Sequence, residues 1–553
     1  MISLFIDKIN RRLRRALITL SSNPRKGSHP FVSGDTFREW ADVVYEDGSK
    51  CKAEDIKEGS IVFLSGECLD EFFTEIHPSI NCCYKLITHN SDRNIGEKEI
   101  SYIDHKIIRW FAQNVLVMNP KVTPIPIGLE SLSYSNAGRL SLFKNPTYPR
   151  NNKKNILVNF NVLTNPKERK DCLEKMRKNE LSNIVEKKIS QKAYIKLLRS
   201  SLAVVSPPGN GEDCHRTWEA TLFGTIPIVK RSAFIEHFAS LGLPLWIVDD
   251  YRELTSISEK ELREKCKAIL ERSTGISKNL IAYHYWQGII RSSEDNRDIA
   301  ILCIATGEKY LSHYEKYFKE SQERFAFEQR TPLIVISENI EKSHKHPSWQ
   351  KLLMFKSPIL KNFNRVILLD GDIYIKNYSE NPTDLTPSDH WGLVKNNAFE
   401  LPRYAKTDPT LYSNCPQADR PSFVLNCGFF ILNRKTHSKI MEYVFSNYTE
   451  QICYEQGPLS YHLITEFPGT IIPWKFNNIV PAYMEKFGYS MSSVISLYDQ
   501  SNFIHFAGNS GKKIIRLFPF FNKYPILLDI SKKPYILWVL DGLALLLKKI
   551  KNI

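Results

Sequence analysis

The sequence predicts an α/β protein with largely parallel sheets, and three observations carry that prediction. Short apolar runs of strand length recur along the chain: residues 61–64, 86–88, 156–160, 202–206, 226–229, 245–248, 300–305, 333–336 and 366–369. Near-continuous apolar runs belong to strands covered on both faces. Helix-like stretches at 165–178, 191–199 and 215–223 lie between such strands, and strand–helix alternation favours parallel sheets. Polar stretches at 145–154 and 292–298 interrupt the alternation and read as a hinge and a linker.

With 553 residues the chain has room for about two to four domains. The divisions expected are a basic amphipathic segment (1–29), a two-lobed domain (30–291, lobes 30–145 and 155–285), the linker 292–298, a further domain (299–520) and an apolar, basic tail (521–553). A net charge of +15 favours polyanionic partners, whether nucleic acid, an anionic membrane surface or a phosphorylated substrate. No nucleic-acid-binding signature accompanies the charge, so nucleic acid is the remote alternative and is not expected as a partner. The cysteines, 11 in number, are scattered without a CxxC pair, which argues against zinc and for reduced thiols in the cytoplasm. The first twenty residues place Ile2, Phe5, Ile9, Leu13 and Leu17 near helical spacing among Lys8, Arg11, Arg12, Arg14 and Arg15. A basic amphipathic helix of this kind suits peripheral contact with an anionic membrane face. Residues 535–551 share that apolar and basic character but are too interrupted to span a bilayer.

Two constellations carry chemistry. The first is Ser206-Pro-Pro-Gly-Asn-Gly-Glu-Asp-Cys-His-Arg-Thr-Trp-Glu219, which follows a strand and opens a helix. Gly209 and Gly211, flanking Asn210, permit close backbone approach to a ligand. Beyond Asp213, free N–H groups at the helix start favour a phosphate. His215 and Arg216 add donors, and Glu219 can accept ribose hydroxyls. This segment, with Gly224-x-Ile-Pro-Ile-Val229 and Leu245-Trp-Ile-Val-Asp-Asp250, resembles the nucleotide-sugar signature of exostosin-type glycosyltransferases. The resemblance implies a GT-B-like pair of Rossmann-type lobes and a sugar nucleotide bound without metal. It also implies inversion at the anomeric carbon, for which a general base is needed. Asp92, in Thr88-His-Asn-Ser-Asp92, and Glu130, in Pro126-Ile-Gly-Leu-Glu130, are the candidates.

The second constellation begins at Val366-Ile-Leu-Leu-Asp-Gly-Asp372, where two carboxylates one residue apart end a buried strand. Hard oxygen ligands in that arrangement suit Mg or Mn, which in turn hold phosphates. Downstream come Asn426-Cys-Gly428, Glu455-Gln456 and the strand-end His505, followed by Gly508 and Lys512. That order resembles GT-A glycosyltransferases of the glycogenin-like and plant xylosyltransferase/galactosyltransferase-like families. The resemblance implies that Asp370, Asp372 and His505 bind Mn or Mg and that Gly508 and Lys512 lie near the diphosphate. It further implies that Asn426 and Gln456 hold sugar hydroxyls and that Glu455 is the carboxylate at the sugar face. Lys351 adds a cation.

The expectation is therefore an exostosin-like GT-B-type domain followed by a GT-A domain. Such a chain is a glycosyltransferase with two activities, acting on a growing polysaccharide or a lipid-linked saccharide. The alternative is a single active GT-A domain with the exostosin-like part as an acceptor-binding or scaffold module.

Overall fold

The computed structural model describes residues 25–132, 139–143, 155–273, 278–294, 297–403, 408–417, 419–449 and 454–507. Residues 1–24 of the basic N-terminal segment, the hinge 145–154, the C-terminal tail, Gly508 and Lys512 lie outside the described residues. The fold is mixed α/β with parallel sheets. Two compact units divide between Trp286 and Gln287, inside the helix Tyr283–Arg291 and a little before the polar run 292–298. Among the described residues no helix is long and apolar enough to cross a membrane.

The first unit contains two five-stranded parallel sheets. One joins β1 (Val43–Tyr45), β2 (Ile61–Ser65), β3 (Tyr84–His89), β4 (Ile107–Ala112) and β5 (Val122–Pro124) in simple sequential order. The other is built from β6 (Ile156–Val158), β7 (Ser182–Ile184), β8 (Ala203–Val205), β9 (Ile226–Lys230) and β10 (Trp246–Val248), in the order β10-β9-β8-β6-β7. Here the expectation of two Rossmann-type lobes is corrected in one respect. The first sheet never reverses its strand order, whereas the second reverses between β6 and β8. Ligands in open α/β sheets gather at such a reversal, beyond the carboxyl ends of the strands. Helix starts near that edge follow local chemistry: Asn165 caps Pro166–Met176 with proline in the first turn, and Ser190 caps Gln191–Ser200.

The second unit is built on a mixed six-stranded sheet, where the alternation alone predicts a parallel one. β11 (Ile299–Ile304), β12 (Leu333–Ile336) and β13 (Arg365–Asp370) are parallel neighbours. β16 (Leu425–Asn433) runs antiparallel to both β13 and β15 (Trp391–Lys395), and β15 pairs in parallel with β17 (Gly469–Ile471). β16 is as continuously buried as a parallel strand, so its apolar run does not betray its direction. A small second sheet joins β14 (Ile373–Ile375), β19 (Phe503–His505) and β18 (Asn478–Ile479). Val366, Ile367, Leu368 and Leu369 of β13 are almost completely buried at the centre.

Leu368→Ala is expected to lower unfolding free energy by about 2–5 kcal/mol through lost burial and a residual cavity. Leu385→Ala, at a side chain 44% exposed, stays within about 0.5 kcal/mol. Urea denaturation of the two variants checks the contrast, and equal losses would contradict the placement of β13.

Candidate functional site

In the second unit, β13 ends on Asp370 and the chain turns through Gly371-Asp372 into β14. A Cβ on Gly371 would lie 2.9 Å from the Tyr310 ring, so glycine lets that ring pack on the turn. β14 then pairs antiparallel with β19, setting Ile373 opposite His505. The Phe506 N–H donates to the Asp372 carbonyl at 3.0 Å and extends this register. His505 Nε2 consequently lies 3.4 Å from Asp372 Oδ1 and 4.0 Å from Asp370 Oδ2. One ligand atom from each of the three residues falls within 4.8 Å of the others. Among the described residues, the buried Asp372 Oδ1 and His505 Nδ1 have no hydrogen-bond partner. Two carboxylates and an imidazole with such orphaned atoms fit a hard or borderline divalent cation, Mg or Mn.

Gly428 has a reason in this geometry. A Cβ there would lie 2.2 Å from His505 Cε1, so the Asn-x-Gly motif clears space for the imidazole. Asn426, expected to hold sugar hydroxyls, is hydrogen-bonded within the protein. Its side-chain oxygen accepts from Gly428 N–H and Asn477, and its amide nitrogen donates to Asn396 and Gln456. Those bonds use the side chain's hydrogen-bonding capacity inside the protein. Gln456 accepts from Cys427 N–H in the same network. Asn396 and Asn477 belong to it without belonging to any motif.

Lys351 is buried beneath the acidic turn. It donates to Asp370 Oδ1 at 2.8 Å and to the Cys427 carbonyl at 2.9 Å, and it lies 3.2 Å from Glu455 Oε1. Burial opposes its charge, yet Asp370 and Glu455 outweigh burial and hold the ammonium well above its ordinary pKa. Burial and the neighbouring Asp372 raise Asp370, against the pull of Lys351 and His505. For Asp372, burial is outweighed by the His505 contact and the value falls. Glu455 is buried at the start of the helix Gln456–Glu466, and its Oε2 has no hydrogen-bond partner among the described residues.

In the first unit, the reversal between β6 and β8 opens on a cleft of about 1730 Å³ between the two sheets. The loop after β8 is tied to its surroundings by protein contacts. Arg169, on the helix Pro166–Met176, donates to the carbonyls of Pro208 and Asn161 at 3.0 and 2.9 Å. A Cβ on Gly209 would lie 3.0 Å from Arg169 Nη2, and one on Gly211 would lie 2.5 Å from Asn114 Nδ2. These glycines therefore answer to packing within the protein. Asn210 donates to Asp92 Oδ2 at 3.1 Å, joining the loop to the first lobe.

Asp213, expected among the donor-binding residues, meets partners within the protein. Its carboxylate accepts from Ile127 N–H, Cys214 N–H and the Trp218 indole at 2.7–2.9 Å. Burial nevertheless pushes its pKa up to about 7. His215 meets the Gly128 carbonyl through Nδ1 at 2.8 Å and places Nε2 3.6 Å from Glu130 Oε2. Burial works against a charged His215 ring, but Glu130, Gly128 and Glu219 outweigh it and raise the ring's pKa. Glu219, on the cleft wall, is raised by burial against the pull of His215 and Arg216. The helix His215–Leu222 has no side-chain cap at its start, so no capping side chain occupies the N–H groups of His215 and Arg216. Arg169, Asn114 and Gln113 carry no motif, and sequence reasoning missed all three.

Residues 141–285 match the family model described as the RXYLT1 C-terminal domain. No curated protein matches the chain. Solved structures similar to it include a glycosyltransferase involved in the glycosylation of the major capsid of PBCV-1. The identity is 16% and the TM-score 0.29, covering 40% of this chain and 99% of that one. Another is mouse xyloside xylosyltransferase 1 in its apo form, at 14% identity and TM-score 0.26, covering 39% and 98%.

A carboxyl group whose folded pKa is raised stabilises the fold below its unfolded value, and that contribution is lost as pH rises through the folded value. Stability of the first unit should therefore fall between pH about 4, the ordinary carboxylate range, and pH about 7, the value of Asp213. Asp213→Asn should remove that residue's share of the slope, leaving the share of Glu219, whose carboxyl is also raised. Denaturation series followed by tryptophan fluorescence check this, and an unchanged slope would contradict it.

Proposed function

We propose that the chain is a nucleotide-sugar-dependent glycosyltransferase with two separate transfer sites. The observation that carries the proposal is the convergence of Asp370 and Asp372, at the turn after β13, with His505 at the end of β19, and Lys351 and Glu455 beside them. The match of residues 141–285 to a xylosyltransferase family model supports the same class of chemistry in the first unit. In each transfer an acceptor hydroxyl attacks the anomeric carbon of the donor. A new carbon–oxygen bond forms, the bond to the diphosphate oxygen breaks, and the nucleoside diphosphate leaves.

In the second unit, Asp370, Asp372 and His505 would hold Mn or Mg, which when bound neutralises charge on the leaving diphosphate. Lys351 keeps Asp370 in place and supplies a permanent positive charge beneath it. Glu455, anchored to Lys351 through Oε1, keeps Oε2 for the positive charge developing at the sugar. In the first unit, Arg216 and the uncapped helix start receive the diphosphate, and Glu219 accepts ribose hydroxyls. Glu130, beside His215, is the favoured base. Asp92 instead holds Asn210, which suits it to keeping the loop closed on the first lobe.

Two variants test the proposal on a panel of sugar nucleotides. Asp372→Asn should lower Mn-dependent transfer by at least about a hundredfold and spare transfer measured in EDTA. Glu219→Ala should do the reverse. Loss of both activities in either variant would contradict two separate sites, and no turnover of any donor by the wild type would contradict the transferase reading.

A further inference from the structure

The cleft of the first unit has walls of opposite charge. Its first-lobe wall carries Asp47, Glu67, Asp92 and Glu130, of which the first three are exposed. Of the cations lining that wall, Arg25 is bonded to Asp35 and Glu46 and so is largely neutralised there, and Arg139 alone leaves the carboxylates in excess. The second-lobe wall carries Lys187, Lys188, Lys192 and Arg216, which with Arg169 outnumber its carboxylates Glu186, Asp213 and Glu219. Lys187 and Lys188 come from the loop after β7, and Lys192 from the first turn of the helix Gln191–Ser200. A diphosphate therefore finds an excess of positive charge on the second lobe and an excess of negative charge on the first.

A second, independent feature lies on the acidic wall. Gln113, which follows β4, is 4% exposed and lines the cleft. Its side-chain oxygen has no hydrogen-bond partner among the described residues. Leaving such an acceptor unmet is costly, and a donor brought by a ligand would recover that cost. Carboxylates and an amide oxygen are all acceptors, so this wall is made for a ligand rich in O–H or N–H donors. An anionic ligand would face like charges.

We infer that the first-lobe wall receives the acceptor and that this acceptor is an uncharged, polyhydroxylated glycan segment, not a polyanion. The inference rests on the reading of this cleft as a glycosyl-transfer site and deepens it by naming the acceptor class. It separates the roles of the two walls: the second lobe holds the anionic donor, and the first holds neutral hydroxyls near Glu130. The chain's net charge of +15 taken alone points the other way, toward polyanions. The local charge of the wall is what an acceptor meets at contact, since screening limits the reach of charge to about 8 Å at physiological salt.

The test uses the full chain, saturated with UDP or GDP, and two p-nitrophenyl β-glycosides followed by saturation-transfer NMR. The glucoside and the glucuronide differ in a single carboxylate, so their comparison isolates charge. Wild type should bind the glucoside at least about fivefold more tightly than the glucuronide. The double variant Asp47→Lys, Glu67→Lys, at exposed positions away from Glu130 and Glu219, should narrow or invert that preference and leave nucleotide binding unchanged. A glucuronide bound as well as the glucoside, a preference unmoved by the double variant, or no glycoside binding alongside normal nucleotide binding would each overturn the inference. Absence of nucleotide binding that survives EDTA would instead overturn the transferase reading of the cleft, and the inference with it.

Discussion

The antiparallel register of β14 against β19 is the constraint on which the second unit's site depends. It sets His505 opposite Ile373, so the imidazole arrives beside a turn more than a hundred residues earlier in sequence. Side chains alternate faces along a strand, and a slip of one residue would turn His505 away from Asp370 and Asp372. Gly428 on β16 protects the arrangement by leaving room for the ring, and the Asn426 network fixes Gly428. Lys351 then offsets the repulsion of Asp370 and Glu455 within a buried space. Removing one partner of such a buried pair generally costs about 3–5 kcal/mol, so the charge set stands or falls together.

The first unit reaches its site by a different route. The order β10-β9-β8-β6-β7 leaves a gap at the carboxyl edge where β6 meets β8. Contacts through Asp213, Asn210 and His215 draw the loop after β8 onto the first lobe. Much of that motif is thus spent on joining lobes, which leaves Arg216, Glu219 and the helix start to face a ligand.

How much of this was legible in the sequence depended on whether a residue's role was local. β13 and its Asp370-Gly371-Asp372 turn were readable because an apolar run ending in two acids is a local pattern. The helix beginning at His215 was readable for the same reason. Roles set by tertiary contact were not. Nothing around Asp213 announces that Ile127 and Trp218 will consume its carboxylate, and Gly209 and Gly211 look like ligand-facing glycines until Arg169 and Asn114 are placed. Lys351 is readable as a cation near the site, but its burial between Asp370 and Glu455 leaves no mark in Ser348-Trp-Gln-Lys351. The direction of β16 was hidden because a strand buried on both faces reads alike whether parallel or antiparallel.

The central claim is that one chain holds two sugar-nucleotide sites, one dependent on a divalent cation and one independent of it. Calorimetric titration of the full chain with nucleoside diphosphate, in Mn and then in EDTA, tests it most directly. Two molecules bound per chain in Mn and one in EDTA is the predicted result. A single molecule bound in Mn, or the loss of all binding in EDTA, would contradict it.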